Sequence, residues 1–288
     1  MRKLPTAFPA GLIAALLPVC LITATAQNPP TTPAVPADKQ KSGAPNPKDE
    51  FLAKTANLYY TAAGTGLTGY TCAVHPDWRA LFLTASKGAT VADDDPRVVL
   101  LKTVKITFHG QLKGESTLDW DQPSNPSTPL DPDSAQMFDA MHNATKQSLM
   151  GFMQLWTPFV DGSVLPANSQ GMEITQTENG RRIHLDTNGT SVTELFDGSF
   201  ILRHFDVVTG GTAVNITPSY KPTQSGLLVS AFQAHIQPPG AQSNQAQEIH
   251  VEIEYQTLKG SPIPSRINME ALNSGTFNFA FDGCTVNP

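Results

Sequence analysis

Alternation of apolar and polar side chains dominates the last third of the chain, residues 185–286. Ile249, Val251, Ile253 and Tyr255 alternate with His250, Glu252, Glu254 and Gln256, the period-two signature of a strand with one buried face. Lys259-Gly260-Ser261-Pro262 marks a turn and 263–269 is extended again. Phe277, Phe279 and Phe281 then alternate with Asn278, Ala280 and Asp282. Similar short runs occur at 67–74, 98–110, 114–120, 172–177, 182–186, 191–196, 200–208, 214–217 and 227–236. Asn179-Gly180, Asn188-Gly189 and Asp197-Gly198 are two-residue hairpin signals between them. Connections this short predict a meander in which consecutive strands are neighbours. Pro218 and Pro222 assign 218–225 to a loop, because proline removes a ladder donor. The pattern as a whole predicts a large antiparallel sheet, whose apolar face needs a covering layer.

Two segments switch to the helical period. Phe51, Leu52, Thr55, Leu58 and Tyr59 share one face of a helix predicted over 48–63, with Pro47 at its start and Gly64 at its end. Residues 133–156 form the second, an insert bounded at about 131–157. There Met137, Phe138, Met141, Ala144, Thr145, Leu149, Phe152, Met153 and Trp156 make a broad apolar band, and Gly151 weakens its centre. Four methionines, Met137, Met141, Met150 and Met153, lie within it. Methionine-rich faces pack adaptably, so the band reads as core or as the lining of an apolar cavity, with thioether ligation of copper a third alternative for which His142 is the only histidine nearby. On the second reading the ligand contacts are Phe138, Met141, Phe152, Met153 and Trp156. The segment 78–85 fits a short helix or an extended run equally.

The start of the chain predicts export from the cytoplasm. Arg2 and Lys3, the apolar run 12–22 and Ala24-Thr25-Ala26 have the form of a signal peptide over 1–26. Residues 27–47 are rich in Pro, Ala and Thr and read as a disordered tether. A single domain follows at 48–288. Cleavage after Ala26 removes Cys20 and leaves Cys72 and Cys284, an even pair that predicts one disulfide in an oxidising compartment. The alternative is lipidation at Cys20, for which the preceding Pro18-Val19 is a poor signal. The chain holds 19 Lys+Arg against 25 Asp+Glu, a net charge of −6. It has no basic cluster of the kind a nucleic-acid binder needs.

Candidate chemistry is sparse. The seven histidines are scattered, without a zinc-like pair. His204 with Asp206, His250 with Glu252, and His184 with Asp186 alternate on one strand face and read as its wet side. Asp93-Asp94-Asp95-Pro96 lacks the spacing of a calcium loop and reads as a turn. No serine sits in a nucleophile elbow and no phosphate loop is present. Asp119 and Asp121 flank Trp120 as in a sugar cleft, a weak signal. These features predict a non-catalytic protein with no cofactor and no metal.

The signal peptide, the first helix, Gly69-Tyr70-Thr71-Cys72, the hairpins, the helical insert and the closing strands 249–255, 264–269 and 277–286 together resemble the periplasmic outer-membrane lipoprotein carriers, the LolA-like superfamily. The resemblance spans 48–288. It implies a strongly curved antiparallel sheet, an unclosed β-barrel, covered by helices, with an apolar cavity for lipid or acyl chains. The insert between Pro123 and Pro166 and the disulfide depart from that family. The expectation is a periplasmic or envelope protein, secreted or attached to the outer membrane, that binds a hydrophobic ligand. The alternative is an envelope structural or interaction domain with a protein partner and no ligand.

Overall fold

The computed structural model describes residues 46–85, 92, 94–121, 132–162, 165, 169–241, 246–272 and 275–287. The signal segment, Cys20 and all but the end of the tether lie outside the described residues. Twelve strands form one antiparallel sheet. In chain order they are β1 (Gly69–Pro76), β2 (Lys105–Gln111), β3 (Thr117–Asp121), β4 (Glu173–Thr177), β5 (Gly180–Thr187) and β6 (Thr190–Asp197). Then follow β7 (Leu202–Thr209), β8 (Thr212–Thr223), β9 (Gly226–Gln237), β10 (Gln247–Leu258), β11 (Ser261–Ala271) and β12 (Gly275–Asn287). Their spatial order is β3-β2-β1-β12-β11-β10-β9-β8-β7-β6-β5-β4. The meander is therefore continuous from β4 to β12, and the N-terminal strands join it through β1 against β12.

The mainly β class with helices stands, but the strongly curved, unclosed barrel does not. The sheet is open and neither closed nor strongly bent. Its free edges are β3 and β4, each five residues long, at opposite ends of the strand order. Hydrophobic alternation marks which face of a strand is buried. It says nothing about which strands end the sheet or how far the sheet bends.

Three local expectations also change. The proline-rich run after Thr217 is not a loop, for β8 continues through Pro218 and Pro222. The reason lies in the register: β7 pairs β8 only from Thr212 to Ile216, whereas β9 pairs it to Thr223. Both prolines thus sit where β8 has a neighbour on one side only, which tolerates a missing donor. Pro262 and Pro264 in β11 follow the same rule, since β12 pairs β11 only from Arg266. Second, 98–101 is helical. Helix α3 (Pro96–Leu101) is capped by Asp95, whose side chain accepts from the Arg97 amide at 2.9 Å, with proline at the first position. Val98 and Leu101, one turn apart, are its buried contacts. Third, helix α1 (Pro47–Ala56) stops at Asn57 rather than near Gly64. The chain then runs extended, and Leu58–Tyr60 bonds to Leu227 on β9: the Tyr60 amide donates to the Leu227 carbonyl at 3.0 Å. Gly226 permits that approach, for a Cβ there would stand 2.7 Å from the Tyr59 carbonyl carbon.

Helix α2 (Trp78–Ala85) buries Trp78, Leu81 and Phe82. Helix α4 (Pro132–Trp156) is one helix of 25 residues, unbroken at Gly151. The core is one cluster. It joins Phe51 of α1, Trp78 and Phe82 of α2, the α4 face, and inward strand residues such as Phe108, Phe232, Val251, Ile267 and Phe279. All the helices that contribute to it pack on the same side of the sheet. On the other side the outward strand residues are exposed or half-buried. Among the described residues no helix is long and apolar enough to cross a membrane.

Candidate functional site

The expected ligand contacts of α4 come together, but as packed interior. Phe138, Met141, Phe152, Met153 and Trp156 are 1–4% exposed. Phe152 stacks on Trp156 at 5.6 Å, and Tyr70 of β1 meets the indole edge-on at 6.3 Å. The polar atoms on this face are matched internally. Trp156 Nε1 donates to the Tyr255 hydroxyl at 2.9 Å, and that hydroxyl donates to the Val229 carbonyl at 2.6 Å. The Tyr70 hydroxyl donates to Met153 Sδ at 3.3 Å. Burial raises the pKa of both tyrosines well above the ordinary phenol value, so neither is a proton donor for chemistry near neutral pH. A cavity of about 390 Å³ lies elsewhere, between β1, α2 and α3, walled by Val74, Trp78, Val98, Lys102 and Val104 among others, and no α4 residue lines it.

A polar group that pattern reading passed over lies on the same inward face. Glu194 of β6 stands opposite Ile183 of β5 and Phe205 of β7. It is 4% exposed, and its Oε2 has no hydrogen-bond partner. Burial pushes its carboxyl up to about 8, so it is protonated at neutral pH. The Tyr220 hydroxyl of β8 is also buried and unpartnered, and burial raises its pKa further than the nearby Tyr59 and Glu194 do. Tyr59 lies over both neighbours. Its ring meets Tyr220 edge-on at 5.3 Å, and its hydroxyl donates to the Phe200 carbonyl at 3.0 Å and accepts from the Leu202 amide at 2.7 Å. Burial pushes that phenol up to about 12. The extended segment after α1 thus lies over two buried oxygens, Glu194 Oε2 and the Tyr220 hydroxyl, that have no hydrogen-bond partner among the described residues. The sequence did hold a signal: Val192, Glu194 and Phe196 share one face, so Glu194 is a charge in an apolar register.

The outward face carries six of the seven histidines. His75 meets Asp282 at 3.0 Å, His109 meets Asp119 at 3.0 Å, and His184 meets Asp186 at 3.2 Å. His204 lies 2.9 Å from Asp206 and His250 3.6 Å from Glu252. His235 stands opposite Asn215 and Glu248. These are exposed or half-exposed pairs, and among the described residues no group of three or more His, Cys, Asp or Glu is placed to hold a metal ion. The seventh, His142, is on α4 against Trp120 at 5.0 Å; burial lowers its pKa, helped by Lys146. Asp119 and Asp121 do not form a cleft with Trp120. Trp120 is half-buried against the inward Trp78 at 5.8 Å, while both carboxylates are exposed on the other side. Of the acidic run before α3, Asp95 is a helix cap and Asp93 lies outside the described residues.

Cys72 and Cys284 form a disulfide with a sequence separation of 212. It ties β1 to β12 where the two terminal portions of the fold meet. In comparison with known proteins, no family model matches the chain and no curated protein matches it.

Proposed function

We propose that this chain is a non-catalytic interaction domain of the cell envelope, displayed beyond the membrane by the tether 27–47, and that its recognition surface is the uncovered face of the sheet. One observation carries the reading. The apolar face of α4 is spent on internal contacts, with Trp156 1% exposed, whereas the outward side chains of the strands have no covering layer among the described residues. A half-polar sheet with one solvated face is an ordinary antiparallel arrangement, so the solvated face is available at no cost to folding. The Cys72–Cys284 disulfide and the leader-like 1–26 support an oxidising location.

The second reading is carriage of a lipid or acyl ligand beneath α4, in the manner of the lipoprotein carriers that the sequence layout resembles. What favours it is the adaptable methionine set, with Met137, Met141 and Met153 all buried on that helix. A ligand would have to displace the Trp156–Tyr255 hydrogen bond and the Phe152 stack.

Native mass spectrometry of protein exported to a bacterial periplasm and purified without detergent separates the two. The interaction reading expects the bare mature mass, starting at Gln27. Stoichiometric lipid in the spectrum overturns it in favour of the carrier, and a diacylated Cys20 adds a lipid anchor ahead of the tether. Trp156 fluorescence, with Trp78 and Trp120 replaced by Phe, is expected not to respond to oleate.

A further inference from the structure

We infer that the uncovered sheet face docks a strongly basic partner, a lysine- or arginine-rich protein segment, and that mild acid loosens it through the histidines of that face. This deepens the interaction reading above and rests on it. The argument is one of charge placement. At the outward positions of β10 and β11 stand Glu248, Glu252, Glu254 and Glu270 against the one base Arg266. Toward the β3 edge stand Asp119, Asp121 and Asp282 against Lys105. Toward the β4 edge stand Glu173, Asp186 and Asp206 against Arg182. These outward positions thus hold a surplus of seven carboxylates in a chain whose total net charge is −6. The excess negative charge of the molecule is gathered on one broad face and the remainder is near balance. Such a face repels nucleic acid and acidic surfaces and attracts cationic ones over a distance.

The histidines are interleaved with that charge. His75, His109, His184, His204 and His250 each lie within 3.6 Å of an outward carboxylate. His184 also has Glu173 opposite it, His250 has Glu270 opposite it, and His235 has Glu248 opposite it. Hydroxyls also meet three of them, Thr71 on His109, Thr193 on His184 and Thr217 on His204. The cations beside them are Arg182, two residues from His184 on the same face of β5, and Arg79 and Lys102, which share a cavity wall with His75. Imidazoles gain charge between about pH 8 and 5. Full protonation of six side chains nearly cancels the surplus, and the electrostatic attraction for a basic partner goes with it.

The test is binding of the full mature protein to a lysine 20-mer at low salt, by interferometry, at pH 7.5 and 5.5. Three proteins are compared with the natural one. The first neutralises the face (Glu248→Gln, Glu252→Gln, Glu254→Gln, Glu270→Gln). The second removes equal charge elsewhere (Asp49→Asn, Glu50→Gln, Asp139→Asn, Glu178→Gln). The third replaces His204, His235 and His250 by Gln. The inference expects a tenfold or greater weakening from pH 7.5 to 5.5, a similar loss at pH 7.5 in the first variant, little loss in the second, and a blunted pH response in the third. Equal losses in the first two variants mean attraction by net charge alone and overturn the docking surface. An unchanged pH response in the third overturns the histidine gate. Circular dichroism of each variant at both pH values separates these outcomes from unfolding. The broader interaction reading fails on a different result, the lipid in the native mass spectrum.

Discussion

The two faces of this sheet are built from the same strands, residue by residue in alternation, and differ in almost every physical respect. On the inward side Phe108, Phe232, Val251, Ile267 and Phe279 are 0–1% exposed under the helices. On the outward side imidazole–carboxylate pairs such as His75–Asp282 are more than half exposed. Burial is what makes the difference matter. An inward side chain gains from every neighbour it touches and loses heavily when it is truncated or left unmatched. An outward charge is solvated either way, and its partner adds little to folding. The inward face fixes the fold, which leaves the outward face free to carry charge for another purpose.

The comparison breaks most sharply at α4. Phe152→Ala is expected to cost about 3–5 kcal/mol, as truncation of a close-packed aromatic does. Denaturant unfolding measures it. A cost under about 1 kcal/mol, with uptake of an apolar dye in the variant and the natural protein alike, would mean that the face is a lined cavity and not core.

Next in size is the disulfide. Replacing Cys72 and Cys284 by Ala should cost about 2–5 kcal/mol, because a long loop in the unfolded chain is then no longer closed. Thermal unfolding with and without reductant should show the same drop for the natural protein. No drop on reduction would mean that β1 and β12 hold together by packing alone.

Glu194 sharpens the comparison from within, since it is an acid on the wrong face. Its folded pKa is raised from the model-compound 4.5 to about 8. Between those values the folded protein keeps a proton that the unfolded chain has lost. This group therefore favours folding most below about pH 4.5, less as pH rises, and by a constant, lowest amount above about pH 8. The swing is on the order of a few kcal/mol. Glu194→Gln should flatten that part of the stability profile and be the more stable form at pH 9. Identical profiles for the two proteins would place the carboxyl in water.

The smallest effect belongs to the outward face. Glu252→Gln, which removes the partner of His250, should change stability by less than about 1 kcal/mol at pH 7. A larger loss would show that the outward pairs hold the sheet together and would weaken the case for a face reserved for binding.

Local chemistry made much of this legible in the sequence. The alternation in 249–255 and 277–281 announced which side chains point inward, and Asn188-Gly189 and Lys259-Gly260 announced turns that the backbone makes with positive φ at all four residues. The helical period of 133–156 and the lone pair of cysteines beyond Ala26 led to α4 and to the Cys72–Cys284 bond. These are properties of neighbouring residues, or of a count so small that one pairing remained. The helix at 96–101 was also written there, in Asp95-Pro96, but the β-branched valines masked it.

Other features were decided only when distant strands met. Whether Pro218 breaks a strand depends on whether β7 reaches it, and β7 ends its pairing at Ile216. Whether the sheet closes depends on β3 and β4, which lie far apart in sequence and at opposite ends of the strand order. Glu194 became a buried acid because the extended turn after α1 brings Tyr59 over it and Tyr220 beside it. The gathering of charge on one face is likewise a product of register, since it takes ten strands to bring those carboxylates and histidines to the same side. The sequence by itself determined the period of each element and so which atoms seek water. Which of those atoms share a surface is a matter of long-range pairing, for which a linear pattern carries no signal, because hydrogen bonds between backbones are blind to the side chains they align.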